Sequence, residues 1–183
     1  MKFKGCLINC GNGSDEHPTQ SLIDIYTIYQ HFQKIDGLSI SIIGDLKNMR
    51  TAHSLVLILS KFSNNKINLI SPNLLKIPAG YINNPPESII LSETDKFNLE
   101  ESDVIYMTGF PPNKHLSENI RLSYNLNLEK IRNLKKNSII LNPLPRIDEI
   151  SREVDESPHT KYFEQSKKGL YVRMAILLSL FND

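Results

Sequence analysis

With 21 lysines and arginines against 20 aspartates and glutamates, the 183-residue chain carries a formal net charge of +1, which excludes bulk electrostatic attraction to nucleic acid or to an anionic membrane. Its length suits one α/β domain with a full-sized core, and its two cysteines, Cys6 and Cys10, stand in a lone CxxxC without partner ligands, so a reduced thiol pair is expected rather than a metal site. No apolar run approaches a membrane span, and the N-terminus MKFKGCLINC is too short and polar for a signal peptide; a soluble, cytoplasmic protein is expected.

Residues 3–9 can form a short strand, and Gly11-Asn12-Gly13-Ser14-Asp15-Glu16 is a loop. His17-Pro18-Thr19-Gln20 leads into a helix with Leu22, Ile25, Tyr26, Ile28, Tyr29 and Phe32 on an apolar face. Pro18 fits an early helical position, where its missing N–H costs nothing. His17 and Gln20 lie one turn apart and project from the same side of the helix start. They form either a plain capping segment with a surface histidine or a functional pair.

The chain is organised around residues 38–62. An apolar, β-branched run with Ile40, Ile42 and Ile43 predicts a buried strand. Gly44 and Asp45 break it, and a helix opens at Thr51-Ala52-His53-Ser54 with Leu55, Val56, Leu59 and Phe62 on one face. In such a unit ligands sit at the carboxyl end of the strand, where free N–H groups at the helix start favour anions. Arg50 stands there, either in a structural ion pair or as a carboxylate-binding group.

Further strands are expected at 67–70, 89–92, 103–107 and 138–141. Between them come a short helix start at Ser71-Pro72, interrupted at Pro78, and a turn or short helix at 98–102. Gly109-Phe110-Pro111-Pro112 reads as a rigid turn, and 113–136 as a long loop followed by the short helix LNLEKIRNLKK. In Asn142-Pro143-Leu144-Pro145-Arg146 the prolines hold the backbone extended and leave carbonyl groups outside any ladder. That turn is either a stiff connection or an acceptor site for an N–H-bearing ligand. A last helix spans about 162–181, with Phe163, Leu170, Tyr171, Met174, Leu177, Leu178 and Phe181 on its face and Lys167-Lys168-Gly169 interrupting its start. The alternation predicts an α/β fold, a doubly wound, mostly parallel sheet with helices on both faces.

Taken together, GNGSDEHPTQSLIDIYTI, IIGDLKNMRTAHSLVLILSKF, DVIYMTGF, NPLPRIDEISREVDESPHTKYFEQ and GLYVRMAILLSL closely resemble the aspartate/ornithine carbamoyltransferase family, aspartate carbamoyltransferase in particular. The resemblance covers nearly the whole chain and places it in the C-terminal, amino-acid-binding half. Residues 1–36 resemble the end of the carbamoyl-phosphate domain with its linking helix, and 37–183 the acceptor domain. The resemblance implies carbamoyl transfer from carbamoyl phosphate to an amino-acid amine without metal or organic cofactor, a step of pyrimidine biosynthesis if the acceptor is aspartate. It assigns His17 to the carbamoyl carbonyl oxygen as an oxyanion stabiliser. Gln20 and the carbonyls of Pro143 and Leu144 are assigned to the carbamoyl amino group, and Arg50 to the acceptor's α-carboxylate.

The family's pattern is broken in three places. Its Ser-Thr-Arg-Thr phosphate loop, part of a carbamoyl-phosphate domain, has no counterpart in this sequence. The arginine after YMT and the glutamine two residues beyond, which bind the aspartate side chain, are replaced by Gly109 and Pro111, and the histidine before PLPR by Asn142. The expectation is an acceptor-binding half needing another chain for the carbamoyl-phosphate domain, in a homo- or hetero-oligomer with a carbamoyltransferase chain. The alternatives are an inactive paralogue acting as a regulatory subunit, or a truncated remnant. Ile25, Ile28, Tyr29, Leu177 and Phe181 are expected to be buried against one another or against another chain.

Overall fold

A computed structural model describes residues 5–83, 85–110 and 116–181. Five parallel strands form one sheet in the order β3-β2-β1-β4-β5: β1 (Ser39–Gly44), β2 (Lys66–Ile70), β3 (Ile90–Thr94), β4 (Val104–Gly109) and β5 (Ile139–Leu141). Strand β4 is buried at every position and β1 at every position after Ser39, as expected of strands covered on both faces. Alternate residues feed two cores. Ile40, Ile42, Leu69 and Tyr106 face one side, and Ile43, Ile70, Ile105 and Met107 the other.

Helices α1 (Pro18–Phe32) and α2 (Arg50–Leu59) cover the first side, where Ala52, Leu55, Val56 and Leu59 recur at helical spacing and are buried. The segment holding α3 (Glu118–Ser123) and α4 (Leu128–Ile131) covers the second with Tyr124, Leu126 and Ile131. The long terminal helix α5 (Tyr162–Phe181) packs on α1 and β5. This is the doubly wound α/β sheet expected from the sequence. No helix among the described residues is long and apolar enough to cross a membrane.

Several expectations are corrected. Residues 5–9 form no strand, and Leu7, 86% exposed, has nothing to pack against. Part of the stretch expected as a long loop is helix α3, started by Ser117, whose hydroxyl accepts from the Ile120 N–H. The rigid turn expected at Gly109–Pro112 lies partly outside the described residues. Lys167-Lys168-Gly169 does not interrupt α5. Gly169 is where α5 presses on α1: a Cβ there would lie 3.3 Å from Ile23 Cδ1. Of the side chains expected to be buried within the chain or against another, Ile25 and Ile28 are buried within it, and Tyr29, Leu177 and Phe181 are left 48%, 48% and 73% exposed by this chain alone, since α5 turns only Tyr162, Gln165 and Gly169 fully inward. This chain covers the rest of its apolar surface only in part.

One backbone constraint sets the sheet's crossover geometry. Gly44, at φ +137°, ends β1 so close to β4 that a Cβ would stand 2.2 Å from Thr108 Oγ1 and 2.7 Å from the Gly109 carbonyl. Only glycine holds this conformation without strain. Gly44→Ala is predicted to lower stability by at least about 2 kcal/mol in urea unfolding; an unchanged midpoint would contradict this packing.

Candidate active site

In an open parallel sheet, ligands bind where connections from neighbouring strands leave in opposite directions. Here that point lies between β1 and β4, since β1 runs on to β2 on one side and β4 to β5 on the other. Beyond Gly44, the Asp45 N–H donates to the Gly109 carbonyl at 3.0 Å, and the Asp45 carboxylate accepts from the Asn48 N–H and side-chain amide. Helix α2 then starts at Arg50 without a side-chain cap, leaving N–H groups at its first turn.

A cavity of about 460 Å³ opens over this crossing. It brings together all five residues singled out from the sequence, His17, Gln20, Arg50, Pro143 and Leu144, and adds Asn48, Thr51 and Thr108. The loop 11–16 closes one side. Arg50 lies over Gly11, where a Cβ would meet Nη1 at 2.6 Å, and donates from Nη1 to the Gly13 carbonyl at 3.3 Å. Among the described residues it forms no ion pair, so its guanidinium keeps donors for a ligand.

His17 caps α1 without a side-chain bond to the helix backbone, while its N–H donates to Ser54 Oγ at 2.7 Å. Burial lowers the imidazole pKa, and the charges of Arg50 and Arg173 lower it further, favouring the neutral ring at pH 7. Its Nδ1 lies 3.4 Å from the Thr19 hydroxyl.

The turn after β5 is held from within. Asn142 Oδ1 accepts from the Leu144 N–H at 2.7 Å, and its Nδ2 donates to the Met107 carbonyl and to Glu149 Oε1 at 2.9 and 3.1 Å. Leu144 sits at φ +47°, and among the described residues neither its carbonyl nor that of Pro143 accepts a hydrogen bond. Glu149 occupies the space beside Gly109, where a Cβ would come within 3.0 Å of its carboxylate; its other oxygen accepts from the Ile147 and Asp148 N–H groups.

Sequence reasoning missed the groups behind this surface. His53 bridges the two loops of the cavity, with Nδ1 2.8 Å from the Asp15 carbonyl and Nε2 2.8 Å from that of Leu46, and stacks on Tyr81. Asp24 is fully buried; its Oδ1 accepts from Gln20 Nε2 at 2.8 Å and from Gln165 Nε2 at 2.6 Å. A lone aspartate four residues after Gln20, on the same side as Ile25 and Ile28, was the available signal. Among the described residues no group of three or more His, Cys, Asp or Glu side chains is placed to hold a metal.

Residues 36–180 match the model of the aspartate/ornithine carbamoyltransferase Asp/Orn-binding domain, and the chain belongs to that family. The aspartate carbamoyltransferase catalytic subunit of Methanococcus vannielii is 47% identical over 181 residues, 97% of this chain and 59% of that protein. The solved catalytic subunit of the M. jannaschii aspartate transcarbamoylase superposes with a TM-score of 0.86 at 40% identity, over 95% of this chain and 58% of that one. The Trypanosoma cruzi aspartate transcarbamoylase in complex with carbamoyl phosphate and aspartate gives 0.83 at 32% identity, over 93% and 57%. The chain thus spans less than two thirds of the length of these relatives.

Burial raises the Asp24 pKa to about 7, against the pull of its hydrogen bonds from Gln20 and Gln165. In the unfolded chain the same carboxyl titrates near pH 4, so from about pH 4 to about 7 the folded state holds the proton more tightly. Stability from this group is therefore highest at the acid end and falls as pH rises through that window. Asp24→Asn, which cannot ionise, is predicted to remove that slope and to exceed the parent at mildly alkaline pH by on the order of 3 kcal/mol. Parallel urea curves for the two proteins across that window would contradict it.

Proposed function

We propose that these residues form the acceptor-binding half of a carbamoyltransferase, with carbamoyl phosphate as donor and an amino-acid amine as acceptor. The observation that carries this is the convergence on one cavity of an N–H donor, carbonyls that accept no hydrogen bond among the described residues, and a guanidinium without an ion pair among them. A neutral His17 donates to the carbamoyl carbonyl oxygen, whose charge grows as the amine nitrogen attacks the carbon. The Gln20 side-chain oxygen and the Pro143 and Leu144 carbonyls accept from the carbamoyl NH₂. As the tetrahedral species collapses, the bond to the phosphate oxygen breaks and the amine proton leaves with the phosphate. Arg50 holds the acceptor's α-carboxylate in a fork-shaped contact.

Residues 1–36 then act as the end of the carbamoyl-phosphate half, and polypeptide beyond these 183 residues supplies the phosphate-binding loop. The open apolar groove between α1 and α5, lined by Leu22, Tyr26, Tyr171, Val172 and Ile176, supports this reading, because apolar surface of that extent favours a covering partner. Aspartate, the acceptor that the relatives' names give, is the first to test, in pyrimidine synthesis in the cytoplasm. Gly109 and Pro111 leave the choice of side chain open.

Supplying the carbamoyl-phosphate half in trans, with labelled carbamoyl phosphate and a panel of amino acids, is expected to give N-carbamoyl product. Arg50→Ala is then expected to raise the acceptor KM about a hundredfold. A second reading, a regulatory paralogue, is favoured by Gly109, which stands where the family carries an arginine and where a Cβ would lie 3.0 Å from the Glu149 carboxylate. Full turnover by the complex carrying Arg50→Ala would support that reading instead. Tyr171→Glu with Leu177→Glu is predicted to abolish assembly, read by sedimentation, while the chain's own unfolding midpoint stays put; assembly that survives both charges would place the partner elsewhere.

A further inference from the structure

Two glutamine side chains, from helices far apart in the sequence, end on the same carboxylate oxygen. Gln20 and Asp24 lie one turn apart on α1, and Gln165 reaches in from α5. A primary amide has two ends of nearly equal size, and its orientation is decided by its partners. Both amides meet Oδ1, which accepts whether the group is ionised or carries its proton on Oδ2, so Gln20 turns Nε2 inward and leaves its oxygen toward the cavity. Gln165 is read from both ends, since Nε2 donates to Asp24 while Oε1 accepts from the Asn142 N–H at 3.0 Å. Asn142 in turn accepts from the Leu144 N–H with its side-chain oxygen.

We propose that Asp24 is the positioning residue of this cavity: one buried carboxylate sets the Gln20 amide to present an acceptor and, through Gln165 and Asn142, holds the Pro143-Leu144 turn that presents two more. The ligand end it shapes is a terminal NH₂ flanked by a carbonyl, as in a carbamoyl or ureido group; for that identity the proposal rests on the carbamoyltransferase reading. Asp24 is fully buried and acts through its two amide partners. Its own surroundings are poor for a charge, since Oδ2 and the neighbouring Tyr106 and Thr51 hydroxyls find no hydrogen-bond partner among the described residues. Burial and the Asp24 charge both push the Tyr106 phenol pKa upward. Stability alone would favour an uncharged side chain here.

The test uses the full chain, labelled with ¹⁵N, and two variants. Asp24→Asn keeps an oxygen for both glutamine amides, and Asp24→Ala keeps none. The side-chain NH₂ signals of Gln20 and Gln165 are expected to be displaced and slowly exchanging in the parent, to shift part-way in Asp24→Asn, and to move to free-amide positions in Asp24→Ala. Signals of both glutamines that ignore the two substitutions would overturn the proposal, and Asp24→Asn decides alone if Asp24→Ala does not fold. In a complex that turns over, Asp24→Ala is expected to raise the KM for carbamoyl phosphate about tenfold and the acceptor KM less than about twofold, with Asp24→Asn restoring the parent value. A fall in kcat with both KM values unchanged, the mark of a smaller folded fraction, would overturn it. Absence of turnover with every acceptor would sink the carbamoyltransferase reading, while the amide signals still decide the role of Asp24.

Discussion

The whole site depends on two parallel strands ending side by side at a place where their chains must part. Between β1 and β4 the sheet reverses its winding, and the strand ends are locked by the Asp45 N–H on the Gly109 carbonyl and by the Thr108 hydroxyl on that of Ile43. No side chain fits between them at Gly44. The crevice that results receives the start of α2 from one direction and the turn after β5 from the other. Helix α1 joins them because its Ile25 and Ile28 share the core of the same sheet face. Geometry that general would serve many ligands, and the specific chemistry comes from the few polar groups set around it.

Those polar groups are held by a buried network that costs stability. Asp24, Gln20, Gln165 and Asn142 are all buried, and they link α1, α5 and the β5 turn through hydrogen bonds between side chains and backbone. A fully buried carboxylate weakens the fold as it ionises. The same carboxylate orients two amides, and an amide pointing the wrong way would turn a donor rather than an acceptor toward the cavity. Rigid acceptors at one end of the cavity and a guanidinium at the other come from different parts of the chain.

Much of this was legible in the sequence for a simple reason. Ile40, Ile42 and Ile43 followed by Gly-Asp can hardly be other than a buried strand and its turn, and HPTQ, the NMRT that follows GDLK, and PLPR are short local motifs with residues that reach the cavity without long-range help. What escaped depends on contacts between distant segments. Gln165 meets Asp24 across 141 positions, and no local pattern signals that a glutamine on α5 will support the turn after β5. The outward apolar stripe of α5 is legible only as a face that wants covering: Tyr171, Leu177 and Phe181 repeat like a core face and this chain leaves them exposed, and their spacing does not say whether the cover lies within the chain or beyond it. Helix α3 was hidden because its cap, Ser117, heads only a short polar segment.

The central claim is that one cavity recognises a carboxylate at Arg50 and a carbamoyl group at Gln20 and the Pro143-Leu144 turn. It is tested most directly by titrating the ¹⁵N-labelled chain with L-aspartate and with N-carbamoyl-L-aspartate, following side-chain signals of Arg50, His17 and Gln20. The account predicts that aspartate moves Arg50 alone and that the carbamoyl compound moves Arg50, His17 and Gln20 together with the Leu144 amide. Signals at all four positions that stay fixed at millimolar ligand, while those of another region shift, would contradict it.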